Sequence, residues 1–241
     1  MERLQKIIAM KGYCSRRKAE ELIQKGKVRV NGELVTTMGY KASVNDFIEV
    51  EGNPLDEVED KEYYLLNKPR GVVTTSSDEK GRKTVVDLIN TKKRIYPVGR
   101  LDYDTTGLII LTNDGELTNY LIHPRNQIEK VYVAKIEGIF TKENLKRLCN
   151  GVRIDGYKTG KAKAKILKID KKKNSSVVEL IICEGKNHQV KKMFEALGFK
   201  VLKLKRESIA FLTLDGVKPG EYRPLSIKEV KKLYGEKNNQ D

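Results

Sequence analysis

The 241-residue sequence contains no tryptophan, only two histidines, and three cysteines that lie far apart: Cys14, Cys149 and Cys183. Because the cysteine count is odd and no CxxC pair occurs, the pattern argues against a disulfide scaffold and a zinc ribbon. No run approaches the roughly 18 consecutive apolar residues of a membrane span, and the N-terminus lacks a secretory pattern. These absences predict a cytoplasmic protein that has no membrane partner.

Motifs for cofactor binding are missing as well. The chain has neither GxxxxGK[ST] nor GxGxxG, and its glycine-containing turns do not suit a methyltransferase. His123 and His188 are 65 positions apart, and their surroundings do not suggest the partners that a metal site or a catalytic triad needs. We therefore expect no cofactor and no metal.

Positive charge is present in excess, since 48 Lys and Arg against 33 Asp and Glu give a net charge of +15. Such an excess indicates a polyanionic partner, most simply nucleic acid. One strongly acidic stretch, residues 51–62, carries six acidic side chains and one basic side chain between two basic blocks. We interpret it as a linker, which predicts domains over residues 1–60 and 61–241; a solvated loop within one domain is the alternative.

The first basic block combines two short helices with a hairpin. Apolar residues at helical spacing predict a helix over residues 2–10, and Ser15 is placed to cap a second helix that begins RRKAEELI. Asn31-Gly32 between alternating valines predicts a tight hairpin. Basic side chains at the helix start and in the hairpin suit phosphate oxygens, although an isolated basic helix face is more often simply solvated. These side chains are Arg16, Arg17, Lys18 and Arg29.

This order of elements resembles the αL RNA-binding module first described in a small-subunit ribosomal protein. The resemblance covers essentially all of residues 1–50. It implies that the four basic side chains contact RNA.

The second block mixes strands and helices. Strand patterns occur at 63–67, 72–75, 107–112, 131–136, 162–169 and 177–183, and helical patterns at 115–122, 141–149, 188–197 and 226–234. Strands often follow strands directly, which favours an α+β domain on a mixed, largely antiparallel sheet over a doubly wound one.

One segment stands out as a place for chemistry. In IYPVGRLDYDTTGLIILTNDG (residues 95–115), a polar turn runs directly into a near-continuous apolar strand. Side chains at the lip of a buried strand are held by a rigid scaffold, which favours catalysis. Asp102 and Asp104 could be the carboxylate pair of a glycosidase, although no tryptophan is available to stack on a sugar. Without further context, Asp102 beside Arg100 is more often a structural salt bridge or a turn cap.

The same segment resembles the signature of the RsuA/RluB family of pseudouridine synthases. NKPRGVV (67–73), KVYVAKIEG (130–138), EGKNHQVKKMFEALGFKVLKLKRESIAFLTL (184–214) and PGEYRPLS (219–226) match in the family's order. Together with the αL module, the resemblance covers nearly the whole chain. It implies an α+β fold with a small RNA-binding domain followed by a pseudouridine synthase domain.

The resemblance also implies roles for individual residues. Asp102 matches the catalytic aspartate, and Tyr132 matches an active-site tyrosine whose ring can stack on uracil. Lys191 matches the basic residue that pairs with the aspartate; many members carry arginine there, and lysine lacks the bidentate fork. Arg100 matches an arginine that helps to hold the flipped nucleotide.

Lys68 and Arg70 are the weakest of these matches. They are expected to line the same cleft and to meet phosphates, although Pro69, Arg70 and Gly71 would also serve simply as a turn.

The activity that the resemblance implies is conversion of one uridine in ribosomal RNA to pseudouridine by a monomeric enzyme. MERLQKIIA, DEKGRKTVVD and KLKRESIAFL are closest to the large-subunit branch of the family. The expected partner is therefore large-subunit ribosomal RNA or its precursor particle. Modification of small-subunit RNA and a catalytically silent ribosome-assembly factor are the alternatives.

Overall fold

The computed structural model describes residues 1–235 and divides them into two compact units. The first unit comprises Met1–Glu62 together with Asn90–Ile95, and the second comprises the rest of the described chain. The segment 90–95 lies well beyond the predicted boundary at residue 60. It is tied to the first unit by the Thr91 hydroxyl, which donates to Glu62 at 2.6 Å.

The first unit contains the two predicted helices, α1 (Leu4–Met10) and α2 (Arg16–Gln24). Ser15 caps α2 as expected, since its hydroxyl accepts a hydrogen bond from the Lys18 amide at 3.1 Å. The strands are β1 (Glu2–Arg3), β2 (Val28–Val30), β3 (Glu33–Leu34), β4 (Lys41–Ala42), β5 (Ile48–Val50) and β6 (Asn53–Pro54). The apolar faces of both helices and of β2 and β5 form the core of this unit.

The hairpin between β2 and β3 turns at Asn31-Gly32, as predicted. Both residues have positive φ angles, 52° and 86°, which match the twist of a two-residue hairpin turn. The whole acidic stretch, residues 51–62, belongs to this unit, and its strand β6 pairs with β5.

The second unit is built on a long sheet. The strands of this unit are β7 (Tyr63–Lys68), β8 (Tyr96–Pro97), β9 (Thr106–Thr112), β10 (Lys130–Glu137), β11 (Arg153–Ile154), β12 (Tyr157–Lys158), β13 (Lys163–Asp170), β14 (Ser175–Ile182), β15 (Val201–Ile209), β16 (Leu212–Thr213) and β17 (Tyr222–Pro224). β11 and β12 form a separate two-stranded sheet, and the others belong to the long sheet. The main order is β13-β14-β10-β15-β9-β7-β17. Every neighbouring pair along it is antiparallel except β15 and β9, which are parallel. The predicted mixed, largely antiparallel sheet is confirmed.

Four helices accompany this sheet: α3 (Gly115–Ile122), α4 (Lys142–Cys149), α5 (Gln189–Glu195) and α6 (Ile227–Gly235). Helices α3 and α6 pack on β7 and β9 through a core that includes Leu65, Leu108, Ile110, Leu117 and Leu233. The Asp114 carboxylate caps α3 and also accepts hydrogen bonds from the hydroxyls of Tyr63 and Tyr234. No helix within residues 1–235 is long and apolar enough to cross a membrane.

The strands differ from the sequence-based expectation at several places, since the short strands β8, β11, β12, β16 and β17 were not predicted either. The predicted strand over 72–75 is wrong, because this segment makes only a single bridge, from Val73 to Thr84. The Thr74 hydroxyl instead donates to the Leu101 carbonyl at 2.6 Å, so the segment supports a neighbouring loop. The central strand β15 was missed, since its charged residues, among them two lysines, hide an alternation in which Leu204 and Arg206 are buried.

Candidate active site

The turn that contains Asp102 lies directly before β9, and hydrogen bonds to its backbone carbonyls hold it in place. The Thr105 amide donates to the Asp102 carbonyl at 3.1 Å, and the Gly71 amide donates to the Tyr103 carbonyl at 2.9 Å. With the bond from Thr74 to Leu101, three successive carbonyls of the turn have defined donors. The Asp102 side chain is 26% exposed. The Asp102 carboxylate is therefore partly exposed on a turn that hydrogen bonds hold in place.

Lys68 lies beneath this turn with none of its surface exposed. Its ammonium group donates to the carbonyls of Thr105 at 2.8 Å, Asp102 at 3.0 Å and Pro69 at 3.2 Å. This burial corrects the expectation that Lys68 meets phosphates, because the ammonium group is satisfied inside the protein. Lys68 instead connects the end of β7 to the turn that contains Asp102.

Replacement of Lys68 by methionine is expected to lower the free energy of unfolding by about 3 kcal/mol near pH 7, because buried carbonyls lose their donor. Urea unfolding monitored by circular dichroism measures this change. The exposed neighbour Arg70 provides the control, since Arg70→Gln is expected to change stability by less than about 0.5 kcal/mol. A Lys68→Met variant as stable as Arg70→Gln would contradict the supporting role.

The penalty for Lys68→Met should also grow with pH. Burial lowers the pKa of Lys68 to about 8 from 10.5, and the charges of Asp102 and Asp104 oppose the shift. Between these values the unfolded chain binds a proton that the folded chain does not, so the wild-type contribution to stability rises with pH. The difference between wild type and variant is expected to increase by up to about 2 kcal/mol from pH 7 to about pH 9.5. A constant difference would contradict a buried, titrating lysine.

Lys191, on the first turn of α5, faces the Asp102 turn. Its ammonium nitrogen lies 3.0 Å from Asp102 Oδ2 and 2.6 Å from Asp104 Oδ1. Burial acts to lower the pKa of Lys191, but the bonds to Asp104 and Asp102 outweigh it and raise that pKa above its ordinary value. The hydrogen bond from Lys191 lowers the pKa of Asp104. The predicted partners Asp102 and Lys191 are thus in direct contact, and Asp104 joins them.

Sequence reasoning did not assign His188 to this site. His188 Nδ1 lies 3.3 Å from Asp102 Oδ2, the same oxygen that Lys191 contacts. The residue lies directly before α5 with a positive φ angle of 53°, and it lines the cleft. The sequence feature that could have indicated this role is the position of His188, three residues before Lys191.

Tyr132 lies on β10 and is almost completely buried. Its hydroxyl accepts a hydrogen bond from Arg206 Nη1 at 3.4 Å, and the guanidinium of Arg206 is also bound to the Leu108 carbonyl at 2.7 Å. Within residues 1–235, Arg206 Nη2 has no hydrogen-bond partner. Arg206 was missed because it lies in the unrecognised strand β15, directly opposite Tyr132.

These elements line one open cleft. Asp102, Tyr132 and Lys191 line it together with Arg100 and His188. Arg70 is exposed nearby, and its charge helps to lower the pKa of Asp104. The cleft therefore combines a carboxylate, a neighbouring ammonium group and an aromatic wall.

The predicted RNA contacts of the first unit are all on its surface. Arg16, Arg17 and Lys18 are exposed on the first turn of α2, although Lys18 pairs with Glu21 at 3.1 Å. Arg29 is exposed on β2, where its guanidinium donates to the Gly32 carbonyl at 2.9 Å. No group of three His, Cys, Asp or Glu residues that could hold a metal ion occurs in residues 1–235.

Comparison with known proteins places this arrangement in a family. The profile of the RNA pseudouridylate synthase family matches residues 62–196, and the S4 domain profile matches residues 2–48. The ribosomal large subunit pseudouridine synthase B of Bacillus subtilis is 55% identical over 97% of this chain and 96% of its own length. The dual-specificity RNA pseudouridine synthase RluF of Escherichia coli K12 is 37% identical over 96% of this chain and 78% of its own length.

A solved structure agrees with the sequence comparisons. The crystal structure of a pseudouridylate synthase superposes with a TM-score of 0.70 at 34% identity, covering 97% of this chain and all of that one. The chain therefore belongs to the RNA pseudouridylate synthase family and is a pseudouridine synthase of the RsuA/RluB type with an S4 domain.

Proposed function

We propose that the protein converts one uridine of large-subunit ribosomal RNA to pseudouridine, with Asp102 as the catalytic carboxylate. The observation that carries the proposal is the contact between Asp102 and Lys191 in a cleft walled by Tyr132. The 55% identity to a relative named for the large ribosomal subunit supports the choice of RNA.

The reaction needs a site that holds both pieces of a broken nucleoside. The bond between N1 of uracil and C1′ of the sugar breaks, the base rotates, and C5 bonds to C1′ while its proton leaves and N1 gains one. Asp102 acts on the sugar, either by attacking C1′ or as a base. Both Lys191 and His188 contact Oδ2 of Asp102, which leaves Oδ1 to face the substrate.

The remaining cleft residues handle the base. Tyr132 offers an aromatic face on which uracil can stack. Arg206 donates a hydrogen bond to the tyrosine hydroxyl and so holds the ring in place. A uridine inside folded RNA has to be extruded before it can reach Asp102, at a cost of a few kcal/mol. The exposed Arg100 lies at the cleft, where it can hold the extruded nucleotide by its phosphate. The basic side chains Arg16, Arg17, Lys18 and Arg29 of the S4 domain bind the surrounding RNA.

Pseudouridine mapping of ribosomal RNA from cells with and without the gene tests the proposal. We expect one pseudouridine of large-subunit RNA to disappear when the gene is deleted and to return with the wild-type gene. Loss of a small-subunit site instead would refute the choice of RNA while leaving the activity intact. Unchanged maps of both RNAs would favour an assembly factor without catalytic activity.

A further inference from the structure

We infer that Asp104 is a positioning residue, which holds the Lys191 ammonium group against Asp102 throughout the reaction. The inference rests on the proposed role of Asp102 and goes beyond it. Lys191 is closer to Asp104, at 2.6 Å, than to Asp102, at 3.0 Å. Asp104 is nevertheless the more exposed carboxylate, at 49% against 26%, so it is not the one enclosed with the substrate.

The two carboxylates are presented by one rigid turn. The Thr105 amide closes this turn on the Asp102 carbonyl, and the Lys68 ammonium group binds the carbonyls of Asp102 and Thr105 from beneath. Lys191 comes from α5, 87 residues later in the chain than Asp104. The pair of Asp104 and Lys191 therefore fastens α5 to the catalytic turn, independently of the charge on Asp102.

That independence matters because Asp102 changes its charge during the reaction. Whether Asp102 attacks C1′ or accepts a proton, it becomes neutral, and its attraction for Lys191 falls. An ammonium group with no other anion nearby would then be partly buried without a partner, since the Lys191 side chain is only 18% exposed. Asp104 keeps an ion pair in place at that stage, so Lys191 is still in position when Asp102 regains its charge.

The lysine at position 191 makes this second carboxylate necessary. An arginine could hold Asp102 alone through two parallel hydrogen bonds, whereas an ammonium group offers a point charge with no fixed orientation. Two carboxylates on one turn orient it by contacting it from two directions. Asp104 thus supplies the geometry that the missing guanidinium fork would give.

The test compares Asp104→Asn in two backgrounds, the natural Lys191 and Lys191→Arg. We expect Asp104→Asn to reduce the single-turnover rate of pseudouridine formation at saturating RNA by at least about tenfold in the lysine background. In the arginine background the same change should cost less than about threefold, because the fork needs no second carboxylate. The Kd for RNA should stay within about threefold in all variants.

Asp155→Asn is the matched control. Asp155 forms an ion pair at 2.5 Å with Lys192, the residue that follows Lys191 on α5. The control therefore removes a carboxylate that contacts the same helix but does not line the cleft. Asp155→Asn is expected to leave the single-turnover rate unchanged. Asp104→Ala repeats the test with a shorter side chain, and thermal unfolding confirms that each variant is folded.

Three outcomes would overturn the inference: a wild-type rate in Asp104→Asn, an equal loss in both backgrounds, or a loss confined to the Kd for RNA. The parent proposal is checked separately with Asp102→Asn. An inactive Asp102→Asn beside a fully active Asp104→Asn would reject only the role of Asp104. An active Asp102→Asn would reject the parent proposal itself.

Discussion

Replacement of Asp102 by asparagine is expected to abolish pseudouridine formation while leaving the Kd for RNA within a few-fold of wild type. The amide has nearly the same shape but can neither attack the sugar nor act as a base at neutral pH. A loss of at least about a thousandfold in the single-turnover rate is expected for a residue that performs the chemistry. Quench-flow or manual quench assays on a saturating RNA substrate measure it.

The structure also indicates that Asp102→Asn should fold. Lys191 keeps its shorter contact with Asp104 at 2.6 Å, so loss of the Asp102 charge does not leave the ammonium group alone. The backbone bonds that fix the turn do not involve the Asp102 side chain. We expect the free energy of unfolding to change by less than about 1 kcal/mol. Asp155→Asn serves as the control for losing one carboxylate, and comparable activity of the two variants would exclude Asp102 as the catalytic group.

Local patterns predicted those parts of the fold that local physics determines. The cap at Ser15 and the hairpin at Asn31-Gly32 depend on a few adjacent residues, and the structure contains both. The apolar run GLIILT forms β9, which is buried on both faces. β15 was missed because its lysines mask the alternation, and its central place depends on pairing with β9 and β10, far away in sequence.

The residues of the candidate site also fall into those that could be predicted and those that could not. The resemblance predicted that Asp102 and Lys191 pair, and the structure places them 3.0 Å apart. It assigned Lys68 wrongly to phosphate contact, since a lysine beside a turn is usually solvated and only tertiary packing buries this one against three carbonyls. His188 and Arg206 were missed for a related reason: their partners, Asp102 and Tyr132, lie 86 and 74 residues away.

Gly107→Ala is expected to cause a large loss of stability. Gly107 has a φ angle of +109° and lies opposite Arg206, where β9 and β15 form the parallel pair of the sheet. A Cβ atom there would lie 2.2 Å from the Arg206 carbonyl oxygen and 2.7 Å from its amide nitrogen. Since both contacts are with backbone atoms, the two strands would have to separate. A loss of more than about 4 kcal/mol is expected.

Gly216→Ala separates this clash from the cost of backbone conformation. Gly216 has a φ angle of +75°, but nothing lies within 4 Å of the position of an added Cβ, so only about 1–2 kcal/mol is expected. Urea unfolding and soluble yield are compared for the two variants. Equal stability of the two would mean that the strands tolerate separation at Gly107. Because Gly107 lies two residues after Thr105, which closes the turn of Asp102, the folded fraction of Gly107→Ala should also lose activity, whereas Gly216→Ala should retain it.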